Sequence, residues 1–306
     1  MAGNDEDSSA GTLHDKGTWK ASAESGVQAK KLRIVAVSLW VLGIIIQLGA
    51  IFGLLLNDSI LSEKAVVDDR GVLQVSNGFP TWAFVLLIVL LVLDGIAVAI
   101  GSILWKKANT FDPASRQDTM RFFVQNQLGA VIPIIAFLPI IIVIFLNKDM
   151  DKTQKGIAGA VGIVVALIAS VIGIDFDPSS IEKYTAEKQA VIQLLGSDTV
   201  YWSTGGGVYH VCGDVPDLSD SKVESGTTAD AVAANKPRLT LRIESELNAC
   251  GRAVPNNIDE IVAKIRDVQN GTSTEQVLPS PDWTGVENAP SSGAIDTLND
   301  AVKDVA

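Results

Sequence analysis

The sequence predicts an all-α transmembrane four-helix bundle followed by a small cytoplasmic α+β domain, made of a β-hairpin and short helices, and then a disordered acidic tail. Three observations predict it. Hydrophobic residues form 47% of the 306-residue chain and charged residues only 19%, where soluble domains carry about 25% charged residues. The apolar residues gather in four runs, 34–56, 82–105, 127–146 and 157–174, each near the ~20 residues that cross a ~30 Å hydrocarbon layer as a helix. The excess charge lies behind the last run. Residues 1–174 carry fourteen basic and fourteen acidic side chains, whereas residues 175–306 carry ten and twenty-one, the whole of the net −11.

These figures exclude several classes. Apolar residues are too plentiful for a disordered chain, and two cysteines are too few for a disulfide scaffold. An acidic tail suits neither nucleic acid nor an anionic lipid surface, both of which need clustered Lys and Arg.

Residues 1–31 read as a disordered N-terminal tail. The domain 32–174 starts with the run 34–56, which follows Lys30, Lys31 and Arg33; it is too long for a signal-peptide core and lacks a small-x-small cleavage site, so it reads as a retained span. Residues 57–80 form a short structured loop with an alternating stretch at 71–75. Trp82 and Trp105 frame the second run, where indoles favour the headgroup level. Between spans two and three, Asp112-Pro113 marks a turn, and Arg116, Arg121, Phe122 and Phe123 suit an amphipathic segment on the inner surface. Pro133 and Pro139 predict two kinks in the third span. In the fourth, Ala158, Gly162, Ala166 and Ser170 place small side chains on one stripe, and Gly49 and Gly53 make a G-x-x-x-G in the first; both patterns suit close helix packing or self-association.

Orientation follows from Lys and Arg. With the N-terminus inside, eleven basic residues flank the spans on the cytoplasmic side and five (Lys64, Arg70, Lys148, Lys152, Lys155) on the other, which predicts both termini in the cytoplasm of a multi-pass cell-membrane protein. One residue is expensive in this scheme. Asp94 lies midway between Trp82 and Trp105, where insertion costs roughly 2.5–3.5 kcal/mol. It reads either as a proton or cation relay or as a helix-to-helix hydrogen bond, and Gln47 is the strongly polar side chain at comparable depth.

In the tail, residues 175–196 read as a linker helix, with Ser179 and Glu182 as a capping box and Ile181, Tyr184, Lys188, Val191 and Leu195 on one face. Residues 197–271 form the small α+β domain. A hairpin of 200–202 and 208–212 turns at Gly205, Gly206 and Gly207, a short helix covers 229–234, Leu239 to Ile243 alternates like a strand, and a helix from Asn257 has Ile258, Ile261, Val262, Ile265 and Val268 on one face and stops at Gly271. Residues 272–306 turn to Ser, Thr, Pro and acid, a disordered acidic tail.

Asn126-Gln127-Leu128-Gly129, Leu138-Pro139, Asn147-Lys148-Asp149, the run 173–178 (GIDFDP) and Val200-Tyr201-Trp202 with Tyr209-His210 resemble a group of actinobacterial multi-span membrane proteins to which no activity is assigned. The resemblance covers residues 31–250. The tail also resembles a small bacterial module that opens with V-Y-x-(ST) and Y-H and continues to a cysteine five residues on and a later C-x-x-C, a set that implies structural zinc. Here the position five after His210 is Val215, and the C-x-x-C would fall at 240–243, where there is no cysteine. His210, Cys212 and Cys250 are left as weak metal candidates, and no metal or other cofactor is expected. If the tail is cytoplasmic, reducing conditions disfavour a Cys212–Cys250 disulfide; if it lies outside, that pair becomes the obvious staple, so the cysteines report on topology. Nothing completes a catalytic set with His210 and Cys212, so no enzyme is expected.

The expected protein is therefore an interaction or scaffold protein of the bacterial cytoplasmic membrane, with the lipid bilayer and a protein partner or second copy as partners and no nucleic acid. A small transporter using Asp94, and a metal or redox sensor using His210, Cys212 and Cys250, are the alternatives.

Overall fold

The computed structural model describes residues 19–67, 73–219 and 222–290. The chain divides into two compact units: Lys30–Lys107 with Val124–Asp175, and Ala108–Phe123 with Phe176–Ala306 and the segment ending at Ala29.

The first unit carries the apolar helices: α1 (Ala23–Ala50), which continues as a π-helical turn over Ile51–Leu55, α2 (Thr81–Phe111), α3 (Thr119–Leu146) and α4 (Lys152–Gly173). All four are long and apolar enough to cross a membrane. About a third of each apolar stretch is buried, so Leu, Ile and Val cover the outside, a surface that water does not tolerate and lipid does. The protein is a membrane protein on that ground.

Two expectations for this unit change. Residues 23–31, expected to be disordered, begin α1; Ser22 Oγ accepts from the Ser25 N–H at 3.1 Å and starts the helix, while residues 1–18 lie outside the described residues. α3 continues as helix across Pro133 and Pro139, where the kinks are expected. Gly49 and Gly53 stand apart from the packing: a Cβ at either would meet nothing within 4 Å. The close approaches lie elsewhere. A Cβ on Gly173 would collide with the backbone of Gly129, where α3 and α4 touch, and Ser102 Oγ of α2 donates to the Gly129 carbonyl at 2.7 Å.

Polar ties pin the ends of the bundle. A hairpin of β1 (Ser62–Val67) and β2 (Leu73–Gly78), paired antiparallel with Ser62 opposite Gly78, joins the first two spans. Asn147 accepts from the N–H groups of Asp149 and Met150 and donates to the Leu55 carbonyl at 2.6 Å. At the other end Trp105 is half-buried: Nε1 donates to the Gln125 carbonyl at 2.7 Å and its ring lies 5.3 Å from that of Trp40. Trp82 is exposed.

The second unit is built around α5 (Ile181–Leu195), and here the reading of 175–196 as a linker is corrected. Eleven of its fifteen residues are buried, Glu182, Lys183 and Glu187 among them. The reason is that neighbours cover every face, and a one-sided apolar pattern does not anticipate that. Ser180, not Ser179, is the N-cap and accepts from the Lys183 N–H; Ser179 Oγ instead takes the Tyr184 hydroxyl at 2.9 Å.

β3 (Val200–Ser203) pairs antiparallel with β4 (Val223–Gly226), Tyr201 opposite Ser225. The expected second hairpin strand is reduced to a bridge between Tyr201 and His210, and the expected strand at 239–243 to a parallel bridge between Tyr209 and Leu239. The helices α6 (Thr228–Ala233), α7 (Ile243–Ala249) and α8 (Ile258–Gln269) complete the unit. α6 carries a capping box between Thr227 and Asp230. Gly271, at φ +77°, follows α8 in the left-handed conformation that glycine adopts without cost.

Residues 272–290, expected to be disordered, pack on this unit: Leu278 is buried in its core, Trp283 lies against it, and Asn257 exchanges hydrogen bonds with Ser280 and Asp282. Composition signalled disorder, but two apolar anchors and Asn257, the residue before α8, hold the segment. The rest of the expected tail, 291–306, lies outside the described residues.

Candidate functional site

Two places gather polar side chains. The first is in the membrane unit. Gln47 Nε2 donates to Asp94 Oδ2 at 2.5 Å, joining α1 to α2 with both residues buried. Gly43, one turn before Gln47, makes this contact possible: a Cβ there would stand 2.5 Å from Asp94 Oδ1. Asp94 Oδ1 is buried with no hydrogen-bond partner. The stripe Ala158, Gly162, Ala166 and Ser170 is buried along α4, and Ser170 Oγ bonds back to the Ala166 carbonyl. These residues pack helices.

The second place is the core of the second unit. The Glu187 carboxylate of α5 accepts from the Tyr209 hydroxyl at 2.5 Å and from Gln269 Nε2 of α8 at 2.6 Å. Gln269 also donates to the Leu239 carbonyl at 3.0 Å. One carboxylate thereby ties α5, the bridged segment 209–210 and α8. Burial pushes its pKa above the usual glutamate value, although Lys183 and the two donors pull the other way. Burial also pushes the Tyr209 hydroxyl well above its ordinary range, assisted by the charge on Glu187.

Next to it, Glu246 of α7 takes His210 Nδ1 at 2.8 Å on one oxygen and the Val211 N–H at 3.0 Å on the other. One turn beyond Glu246, Cys250 is bonded to Cys212. The three weak metal candidates are therefore engaged otherwise, His210 with Glu246 and the two cysteines with each other, and no group of three or more His, Cys, Asp or Glu that could hold a metal occurs among the described residues. Val215, where the resembled module has a cysteine, is buried with Cys212 and Leu218. Of the two states left open, separate cysteines in a reducing compartment and a staple outside it, the structure has the paired one, because α7 brings Cys250 to a Cα distance of 6.2 Å, within the span of a disulfide.

The second loop belongs to this unit. Its reading as an amphipathic surface segment is corrected for Arg116. The Arg116 backbone N–H and the Ser115 hydroxyl both donate to Glu182, and the Arg116 guanidinium reaches the Val268 carbonyl at 3.4 Å. Trp19 covers another side of α5, its backbone N–H donating to Thr185 Oγ1 and its ring 4.7 Å from that of Tyr184. Lys236 closes the glycine turn by donating to the Thr204 and Gly206 carbonyls. Carbonyls aimed at an ammonium do not form a phosphate cradle, which needs N–H groups.

No family model matches the chain, and no curated protein or solved structure matches it.

Of the residues that hold this core, Tyr209 belongs to the Y-H pair that carries the resemblance, whereas Glu187, Glu246, Gln269 and Lys236 carry no motif. The stretch around Glu187 has the composition of a solvated helix, and its partners stand 22 and 82 residues away.

Proposed function

We propose that the chain is a membrane-anchored interaction protein of the bacterial cytoplasmic membrane, with the soluble unit as its partner-binding part. The observation that carries this is the use made of Asp94. One oxygen of its carboxylate accepts from Gln47 and the other lies beside Gly43, which supports a role in helix assembly and leaves the soluble unit as the part that acts. Its polar core joins five segments of chain around α5, an arrangement that holds a surface rigid for docking. No enzymatic step is assigned to it. The Lys and Arg count supports placing both termini in the cytoplasm, and the buried small-residue stripe on α4 supports compact helix packing.

In-cell cross-linking of the full-length protein tests the reading. Defined cross-linked species should persist in Asp94→Asn and vanish from a chain truncated after Asp175; loss in Asp94→Asn with retention in the truncated chain overturns it.

A transporter is the second reading, favoured by the unpartnered Asp94 Oδ1. It requires ion flux into vesicles that Asp94→Asn abolishes, and flux retained in that variant removes it.

A further inference from the structure

We propose that Cys250 is a thiol-exchange site, at which a low-molecular-weight thiol opens the Cys212–Cys250 disulfide. The two sulfurs are unequally placed. Cys212 is buried in an apolar cluster with Val215 and Leu218, whereas Cys250 is partly exposed at the end of α7. Both line a surface cavity of about 440 Å³, together with Tyr201, Asp214 and Arg252. An adjoining cavity shares Gly213, Asp214 and Val223 with it. A small thiol therefore reaches the disulfide from one side and meets Cys250 first, and access selects the sulfur attacked.

The exchange balances in two steps. The thiolate RS⁻ bonds to Cys250 Sγ, the protein S–S bond breaks, and Cys212 departs with the electron pair and takes up a proton. A second RS⁻ attacks the outer sulfur of the mixed disulfide, releasing RSSR and the Cys250 thiolate, which is then protonated. Two thiols are oxidised and one protein disulfide is reduced. Apolar surroundings favour the Cys212 thiol over its thiolate; this slows the expulsion of Cys212 but, once Cys212 is protonated, slows the return attack as well, so the adduct on Cys250 persists. The cavity lining carries one cation, Arg252, and one anion, Asp214, which suits a thiol that carries both carboxylates and an ammonium, of the glutathione class.

Opening the bond changes how α7 is held. Besides the core packing of Ile243 and Leu247 with Tyr209 and Val211, the disulfide and the Glu246 clamp on His210 and Val211 bind it to the 209–212 segment. Reduction removes the first of these and leaves the clamp, four residues earlier on the same helix. The supply of thiol rests on the cytoplasmic placement proposed above, since disulfides in that compartment are usually transient.

The test uses full-length protein in detergent, without denaturant, and millimolar reduced glutathione. Wild type should release a thiol and carry a glutathione adduct that peptide mapping places on Cys250. With oxidised glutathione, Cys212→Ser should be labelled faster than Cys250→Ser, by roughly tenfold. An adduct on Cys212, equal labelling of the two variants, or a wild-type pair that opens only in denaturant overturns the exchange site. The wild-type mapping stands even if a variant fails to fold. Separately, membrane-impermeant reductant followed by impermeant thiol label on intact cells should leave Cys250 unlabelled until lysis. Labelling before lysis overturns the cytoplasmic placement and this source of thiol, while an adduct in the purified protein would still stand.

Discussion

Glu182 Oε2 accepts the backbone N–H of Arg116 at 2.9 Å, so the first turn of α5 is fastened to the loop between the second and third spans. The Ile181 N–H donates to the Ala114 carbonyl and the Tyr184 hydroxyl to the Thr110 carbonyl, which makes that loop part of the soluble unit's core. We predict that Glu182→Ala frees residues 112–118, because it strands two part-buried donors at about 1–3 kcal/mol each. Limited proteolysis should cut the loop faster than in wild type; an unchanged rate would show that the backbone contacts suffice.

The membrane pair yields a contrast between two substitutions. Asp94→Asn keeps the shape and an acceptor for Gln47 and should shift stability in detergent by no more than about 1 kcal/mol. Gly43→Val drives a side chain into Asp94 Oδ1, an overpacking that costs about 1–3 kcal/mol or more. Thermal melting of both proteins decides it, and the reverse ranking would sink the packing account.

Glu187 makes stability depend on pH. Its folded pKa is raised above the ordinary 4.5 by burial, so the neutral acid is favoured in the folded state. The associated stability is full below pH 4.5 and is lost as pH rises through the folded value. Glu187→Gln removes that loss. The hypothesis is that the melting temperature of wild type falls relative to Glu187→Gln between pH 4.5 and neutrality, with a fixed offset from the altered hydrogen bonds; parallel profiles would falsify it.

The disulfide closes a loop of 38 residues, worth about 4 kcal/mol in the chain-entropy account. The double variant Cys212→Ser, Cys250→Ser should lose a large part of that in denaturant unfolding of the soluble unit, and a loss below ~1 kcal/mol would mean that the Glu246 clamp alone orders α7.

Trp19 adds a separate test of the N-terminal segment. It is almost fully buried, at 3% exposure, against Tyr184. Trp19→Ala should cost roughly 3 kcal/mol, the lower end for a buried aromatic, and speed hydrogen exchange in α5; unchanged exchange there would mean that this segment is dispensable.

The sequence by itself determined the four spans. A run of about twenty apolar residues has one structural solution in lipid, a helix that satisfies its own backbone, and no distant residue can alter that. It also determined α6 and α8, whose caps and apolar face are local, and it singled out Gln47 as the partner available to Asp94 by depth alone. Only the tertiary structure decided that α5 is a core helix, that Cys250 meets Cys212, and that Trp19 and residues 272–290 are anchored. Each of these depends on groups far apart in the chain. The partners of Glu187 come from the 209–210 bridge and α8, and a charged helix looks the same in sequence whether water or protein covers it.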